Sequence, residues 1–343
     1  MKEISKNEVK NLLIARTDRL GDVILTLPLI SAAKKVFNNA KVIFFVKKYT
    51  SDLIKSYEGI DELSVEEDVY GFWDKYKYFR NKKIDLVINV KPRFDLALLF
   101  YMLRIKYRIG TGYRWYSFFY NYKVYEHRKI SDKHESDYNL NLLKIFFDEV
   151  DLEKEFHFKY SSDEKNKLDT KLNAHNLSLD ESFIIIHPGS GSSAKDLSPE
   201  KFSEFINGIM NEYSNYKIIF TGLEKEKILT DKIKTGVNKV YQNKLIDVNG
   251  KVNLKDLMIL IDHSKLFISN STGPIHIAGA LNKNIIGFYP NEKKMGNIRW
   301  GPLGKNVIVL MPDESNKMDS INVKNIMNAV RQFLNNNFGT IKT

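Results

Sequence analysis

The chain of 343 residues contains no cysteine, which excludes a disulfide framework, a thiolate metal site and a cysteine nucleophile. Its length suits two domains of roughly 150 residues, and no apolar run reaches the roughly 20 residues of a membrane span or forms a signal-peptide core at Met1. A net charge of +11 points to a polyanionic partner (nucleic acid, anionic lipid or a phosphorylated substrate) or to a lysine-rich solubilising surface; a cytoplasmic address fits best.

In chain order, Asn11–Arg16 reads as a first buried strand ended by Thr17-Asp18-Arg19. A helical pattern follows from about Leu20 to Phe37, with apolar positions at Val23, Leu27, Ile30, Ala33 and Phe37. Lys41–Val46 and Ile84–Val90 read as further strands. After a polar stretch from about Tyr160 to Glu181 the alternation restarts. Phe183–His187, Lys217–Phe220, Lys265–Ser269 and Asn284–Phe288 are predicted strands. Helices are predicted over Pro199–Tyr213, from an Asn253 cap to about Asp262, over Gly273–Leu281 and over Asn322–Asn335. Strands alternating with amphipathic helices give an α/β chain of two doubly wound parallel sheets. The expected organisation is 1–160, a linker over 161–180, and 181–343, with the last helix free to pack back on the first domain.

In such sheets ligands bind outside the carboxyl ends of the strands, so the loops there are where chemistry is sought. In the first loop, Arg16–Val23, Asp22 falls at a helix N-terminus and either serves a reaction or simply favours the helix dipole. The second, His187–Pro199, holds small residues and Lys195, suited to a diphosphate. Gly189–Ala194 formally satisfies G-x-G-x-x-A, yet the helix begins only at Pro199, and a plain flexible loop is an equal reading. The third, Ser269–His276, runs from a strand straight into a helix and offers hydroxyls and free N–H groups to a phosphate. His276 in its first turn points to the ligand or into packing. No D-x-D, H-E-x-x-H, P-loop or G-x-S-x-G pattern is present.

These three loops, in this order, resemble glycosyltransferase family 9, the ADP-heptose–lipopolysaccharide heptosyltransferases. The matching stretches are Ile14–Pro28 (IARTDRLGDVILTLP), Ile186–Phe202 (IHPGSGSSAKDLSPEKF) and Ser269–Leu281 (SNSTGPIHIAGAL). Arg299-Trp300-Gly301-Pro302, Arg108-Ile109-Gly110 and Lys133-His134-Glu135 add to the likeness. The resemblance implies a GT-B fold of two facing Rossmann-like domains, with the donor bound mainly by the second. It also implies an inverting transfer that uses no metal and no cofactor. By motif position Asp22 becomes the general base, and Lys195, with Ser192 or Ser193, neutralises charge on the leaving ADP. Ser190, Ser271, Thr272, Gly273 and His276 complete the diphosphate and sugar site, Glu224 takes the ribose, and Gly250–Asn253 border the adenine. Many family members carry Asp where this chain has Ser271, which leaves the donor sugar less defined, and Leu197 replaces a frequent Trp.

Between Arg104 and Lys133 stand eight Lys or Arg residues and two acids, interleaved with nine aromatics. This composition suits a bilayer interface, RNA, or a half-buried aromatic face with a basic rim. The family resemblance favours the first domain as the acceptor side, with Arg19, Arg108, Arg114, Lys123 and His134 meeting a phosphorylated glycolipid at the anionic inner membrane surface. No nucleic acid is expected. Competing readings are the same fold with another nucleotide-activated hexose, an NAD-dependent oxidoreductase, and a non-catalytic polyanion-binding protein. The reading further requires that the Asp22 carboxylate not be sealed from solvent in a closed ion pair.

Overall fold

This computed structural model describes residues 6–144, 153–191 and 195–335. The chain divides into two units, Met1–Lys159 and Tyr160–Thr343. In the first unit the strands are β1 Asn11–Ala15, β2 Lys41–Val46, β3 Glu62–Val65, β4 Leu86–Asn89, β5 Tyr107–Thr111 and β6 Tyr122–Val124. They form one sheet in the order β3-β2-β1-β4-β5-β6. In the second unit β7 Phe183–His187, β8 Lys217–Phe220, β9 Leu245–Asp247, β10 Leu266–Asn270, β11 Ile285–Phe288 and β12 Val307–Leu310 form a sheet in the order β12-β11-β10-β7-β8-β9. All pairings within both sheets are parallel. Numbered from its own first strand, each sheet has the 3-2-1-4-5-6 order of a Rossmann fold. The strand order therefore reverses between β1 and β4, and again between β7 and β10.

Burial on both faces explains why β1 and β7 are almost unbroken apolar runs: neither side of these strands meets water. In the first unit Leu13, Ile43 and Val87 pack under Phe79, Leu99 and Phe100. In the second, Phe202, Phe205 and Ile209 of the helix Pro199–Glu212 share a core with Ile326, Val330 and Phe333 of the helix Val323–Leu334.

Three expectations change. The pattern over Leu20–Phe37 is two helices, Leu20–Ile24 and Leu27–Val36. Pro28 has no N–H to continue the first, and its ring clashes with the preceding turn. The stretch 161–180 is no linker, because it carries the helix Ser162–Asn173. Ser161 and Glu164 close a capping box at its start, and Leu168 and Leu172 are buried. Finally, the last helix lies on the helix Pro199–Glu212 of its own unit, close enough that a Cβ on Gly208 would come within 2.9 Å of Met327 Sδ.

Candidate active site

Arg16 follows directly on β1 and is 3% exposed, so its guanidinium requires partners. Nε donates to Asp18 Oδ1 at 2.8 Å, Nη2 to Asp22 Oδ1 and, at 3.3 Å, to Glu135 Oε1, and Nη1 to Asn139 Oδ1 at 3.4 Å. Arg128 joins from the other side, donating to Glu135 Oε1 at 2.7 Å and Asn139 Oδ1 at 3.1 Å. Three carboxylates thus surround two guanidiniums. Asp22 retains 16% side-chain exposure, and its Oδ2 accepts no hydrogen bond among the described residues. The ion pair is not a closed one. Burial raises the Asp22 pKa; Arg16 opposes this, while the charges of Asp18 and Glu135 add to it.

The break between the two helices also serves the site. Thr26 Oγ1 donates to Asp22 O at 2.8 Å, and Asn139 Nδ2 donates to Leu25 O at 3.0 Å. Across the point of reversal, Arg93, in the loop after β4, donates to Thr17 Oγ1 at 2.8 Å and to Glu66 Oε1 at 2.6 Å. The loops after β1 and β4 are therefore braced together.

The second unit repeats this placement. His187 ends β7, is buried, and shares a 2.8 Å hydrogen bond with Thr221 Oγ1; burial pushes its pKa down to about 4, so it is neutral at physiological pH. Asn270 ends β10, with Nδ2 donating to Pro188 O at 2.6 Å and Oδ1 accepting from Leu197 N at 3.2 Å. One buried amide thus fastens both ends of the second loop. Within it, the side chain and backbone N–H of Ser190 bond to Asp196, whose pKa burial raises against those hydrogen bonds. Lys195 Nζ pairs with Glu292 Oε1 at 2.6 Å. Thr272 caps the helix Gly273–Ala280 by position but makes no side-chain cap bond, and no N–H is available at Pro274. Glu224 packs against Gly250, where φ is +68° and a Cβ would stand 2.3 Å from Glu224 Oε2. His276 is buried in the first turn of the helix.

Of the residues named from sequence, Asp22 gathers with Arg16, Asp18 and Glu135 in the first unit. Ser190 and Lys195 share one loop of the second, where Ser271, Thr272 and Gly273 stand at the end of the neighbouring strand. Ser192 and Ser193 lie outside the described residues. Ser271 offers a hydroxyl that is hydrogen-bonded to the buried Tyr289. On the acceptor side the residues scatter. Arg19 is exposed beside Asp18; Arg114 is exposed after β5; Lys123 lies half-buried on the edge strand β6. His134 precedes the helix Glu135–Lys144 and takes the Ser136 N–H on Nδ1 at 3.2 Å, so it supports the helix that carries Glu135. Arg108 is engaged within the fold. It lies near the amino end of β5 and donates to Phe119 O at 2.8 Å and to Ile105 O, with its guanidinium over the Tyr101 ring. Those bonds make it a fastener of the fold. Leu197, in place of a frequent Trp, is buried in the second core.

Sequence reading gave no role to Arg16, Asn139 or Asn270. For Arg16 and Asn270, a charged residue or an amide at the end of a mostly apolar strand was the available signal, since a buried polar group must find a partner; Asn139, inside a helix, carried no such signal.

Two parallel Rossmann-like sheets, each with a polar loop cluster at its point of strand reversal, give the chain a GT-B-like fold. The profile of "Glycosyltransferase family 9 (heptosyltransferase)" matches residues 73–330, and the chain belongs to that family. A lipopolysaccharide heptosyltransferase 3 of Escherichia coli is 25% identical over 303 residues, covering 84% of this chain and 85% of that protein. A family 9 glycosyltransferase of Veillonella parvula superposes with a TM-score of 0.84 at 20% identity, covering 95% of this chain and 97% of the other. The E. coli ADP-heptose LPS heptosyltransferase II gives 0.80 at 18%, over 95% and 99%.

Proposed function

We propose that the chain is an inverting, metal-independent heptosyltransferase that moves a heptose from ADP-heptose to a lipopolysaccharide core or lipid A precursor. It would work at the cytoplasmic face of an anionic inner membrane. The observation that carries this reading is Asp22: a carboxylate at the point of strand reversal, held through one oxygen by Arg16 and, among the described residues, unbonded at the other. A base needs this combination, being fixed in orientation yet able to accept a proton. Its raised pKa brings it nearer to working pH.

In the reaction the acceptor hydroxyl attacks the anomeric carbon and gives its proton to Asp22. The bond from that carbon to the diphosphate oxygen breaks, and ADP leaves with the electron pair. Attack from the face opposite the leaving group inverts the configuration. Charge growing on ADP would be met by Lys195 and by the amino end of the Gly273 helix. Glu224, which packs against Gly250, would accept from the ribose hydroxyls.

A panel of sugar nucleotides tests the reading through transfer, hydrolysis and thermal shift. ADP-heptose should stand out, and a chelator should leave the rate unchanged. Preference for another sugar nucleotide would support a second reading: the same chemistry with a different hexose. Ser271 favours that alternative, because it presents a hydroxyl tied to Tyr289 where many family members have a carboxylate.

A further inference from the structure

The aromatic and basic segment after β5 separates into two populations. Tyr107, Tyr116, Phe119, Tyr120 and Tyr122 are buried and belong to the core. Trp115 and Phe118 are 73% and 61% exposed, and Phe94 and Tyr101 are also exposed. Single exposed aromatics are ordinary. These are not single. Phe119 forms their common floor, with ring centroids 4.3 Å from Phe118, 5.1 Å from Tyr101 and 6.2 Å from Phe94, and Phe94 stacks on Trp115 at 5.0 Å.

The charge around this face is one-sided. Arg114 immediately precedes Trp115, and Arg104 closes the turn after Tyr101, its N–H donating to Tyr101 O at 2.9 Å. Both arginines are exposed and make no ion pair among the described residues. Asp95, next to Phe94 in the chain, is paired with Arg93 at 2.5 Å. Another exposed pair, Tyr70 and Trp73, provides the contrast, since it neighbours the exposed acids Glu67, Asp68 and Asp74.

We propose that Phe94, Tyr101, Trp115 and Phe118, flanked by Arg104 and Arg114, form the face that docks the protein on an anionic lipid bilayer. Amphipathic rings settle at the level of the headgroups, and unpaired guanidiniums add attraction to acidic lipid. Phe94 follows β4 and Trp115 follows β5, so this face begins at the same carboxyl edge of the sheet that holds Asp22. A lipid-borne acceptor seated there would keep its anchor in the membrane and its sugar near the base. The inference rests on the glycolipid acceptor proposed above, but it can be tested without donor or acceptor.

The full chain is sedimented with vesicles of phosphatidylcholine, with and without phosphatidylglycerol. Binding should require phosphatidylglycerol and weaken with added salt. Trp115→Ser combined with Phe118→Ser should lower it at least about tenfold, as should Arg104→Gln with Arg114→Gln, while Trp73→Ser should not. Circular dichroism and melting confirm that the variants fold. The Trp115/Phe118 variant should keep its turnover on detergent-dispersed acceptor and lose apparent affinity for acceptor in vesicles. No vesicle binding by the natural chain, unchanged binding by the double aromatic variant, or a short RNA outcompeting the vesicles would overturn the proposal. If vesicle binding behaves as expected while ADP-heptose fails as donor, the docking face stands and the donor assignment falls.

Discussion

A guanidinium as deeply buried as that of Arg16 is stable only among carboxylates, and the three it finds determine how Asp22 behaves. Asp22→Asn keeps shape but cannot take a proton. Turnover should fall by about 10² to 10⁴, with ADP binding by calorimetry unchanged. Stability should move the other way. A carboxyl whose folded pKa lies above its unfolded one binds its proton more tightly in the fold, so its stabilising contribution is lost as pH rises through the folded value. At neutral pH the asparagine variant should melt no lower than the natural protein, and a fall of several degrees would contradict the raised pKa. As the proposed base, Asp22 would act as the carboxylate, so kcat/KM should rise with pH through the Asp22 pKa, above the ordinary aspartate value of about 3.9. Arg16→Gln removes the cation favouring the charged form and should move that limb to higher pH. Glu135→Gln removes a like charge and should move it lower. Equal pH profiles in all three would exclude this network as the source of tuning.

At the scale of elements, the site depends on strand ends. Asn270 fastens a loop to the end of β10, and Asn270→Ala leaves the Pro188 carbonyl and the Leu197 N–H without that amide. Denaturant unfolding should show a loss of about 2–4 kcal/mol, and donor KM should rise more than kcat falls. A stable variant with natural donor KM would show that the loop holds itself. The elements also show what sequence could reveal. β2, β7 and β8 were readable to the residue because buried parallel strands are continuous apolar runs. β5, with Arg108, Gly110 and Thr111, and the short β3, β6 and β9 lack that signature and were missed, as was β12. Asp22, Thr272 and Gly273 were legible because each follows a readable strand. Glu135 reaches Arg16 across 119 residues, a distance over which no local pattern carries information.

For the whole molecule, the two-part reading was accessible because the strand–helix alternation visibly restarts, whereas the helix within 161–180 was hidden by its polar composition. The charge of +11 has a similarly mixed fate: many lysines lie in exposed pairs, which solvent screens to little net worth. Lys195 with Glu292 is one of these, with side chains 49% and 32% exposed. Glu292→Gln should therefore barely change melting, yet should tighten ADP about two- to fivefold by calorimetry, by up to roughly the energy of one surface pair. Looser ADP binding would mean that Glu292 helps to hold the nucleotide. The lysine thus waits in a berth shallow enough to leave. For the diphosphate of the proposed donor, the competitor would be one solvated carboxylate, and that carboxylate would return the cation to its mooring once the product departs.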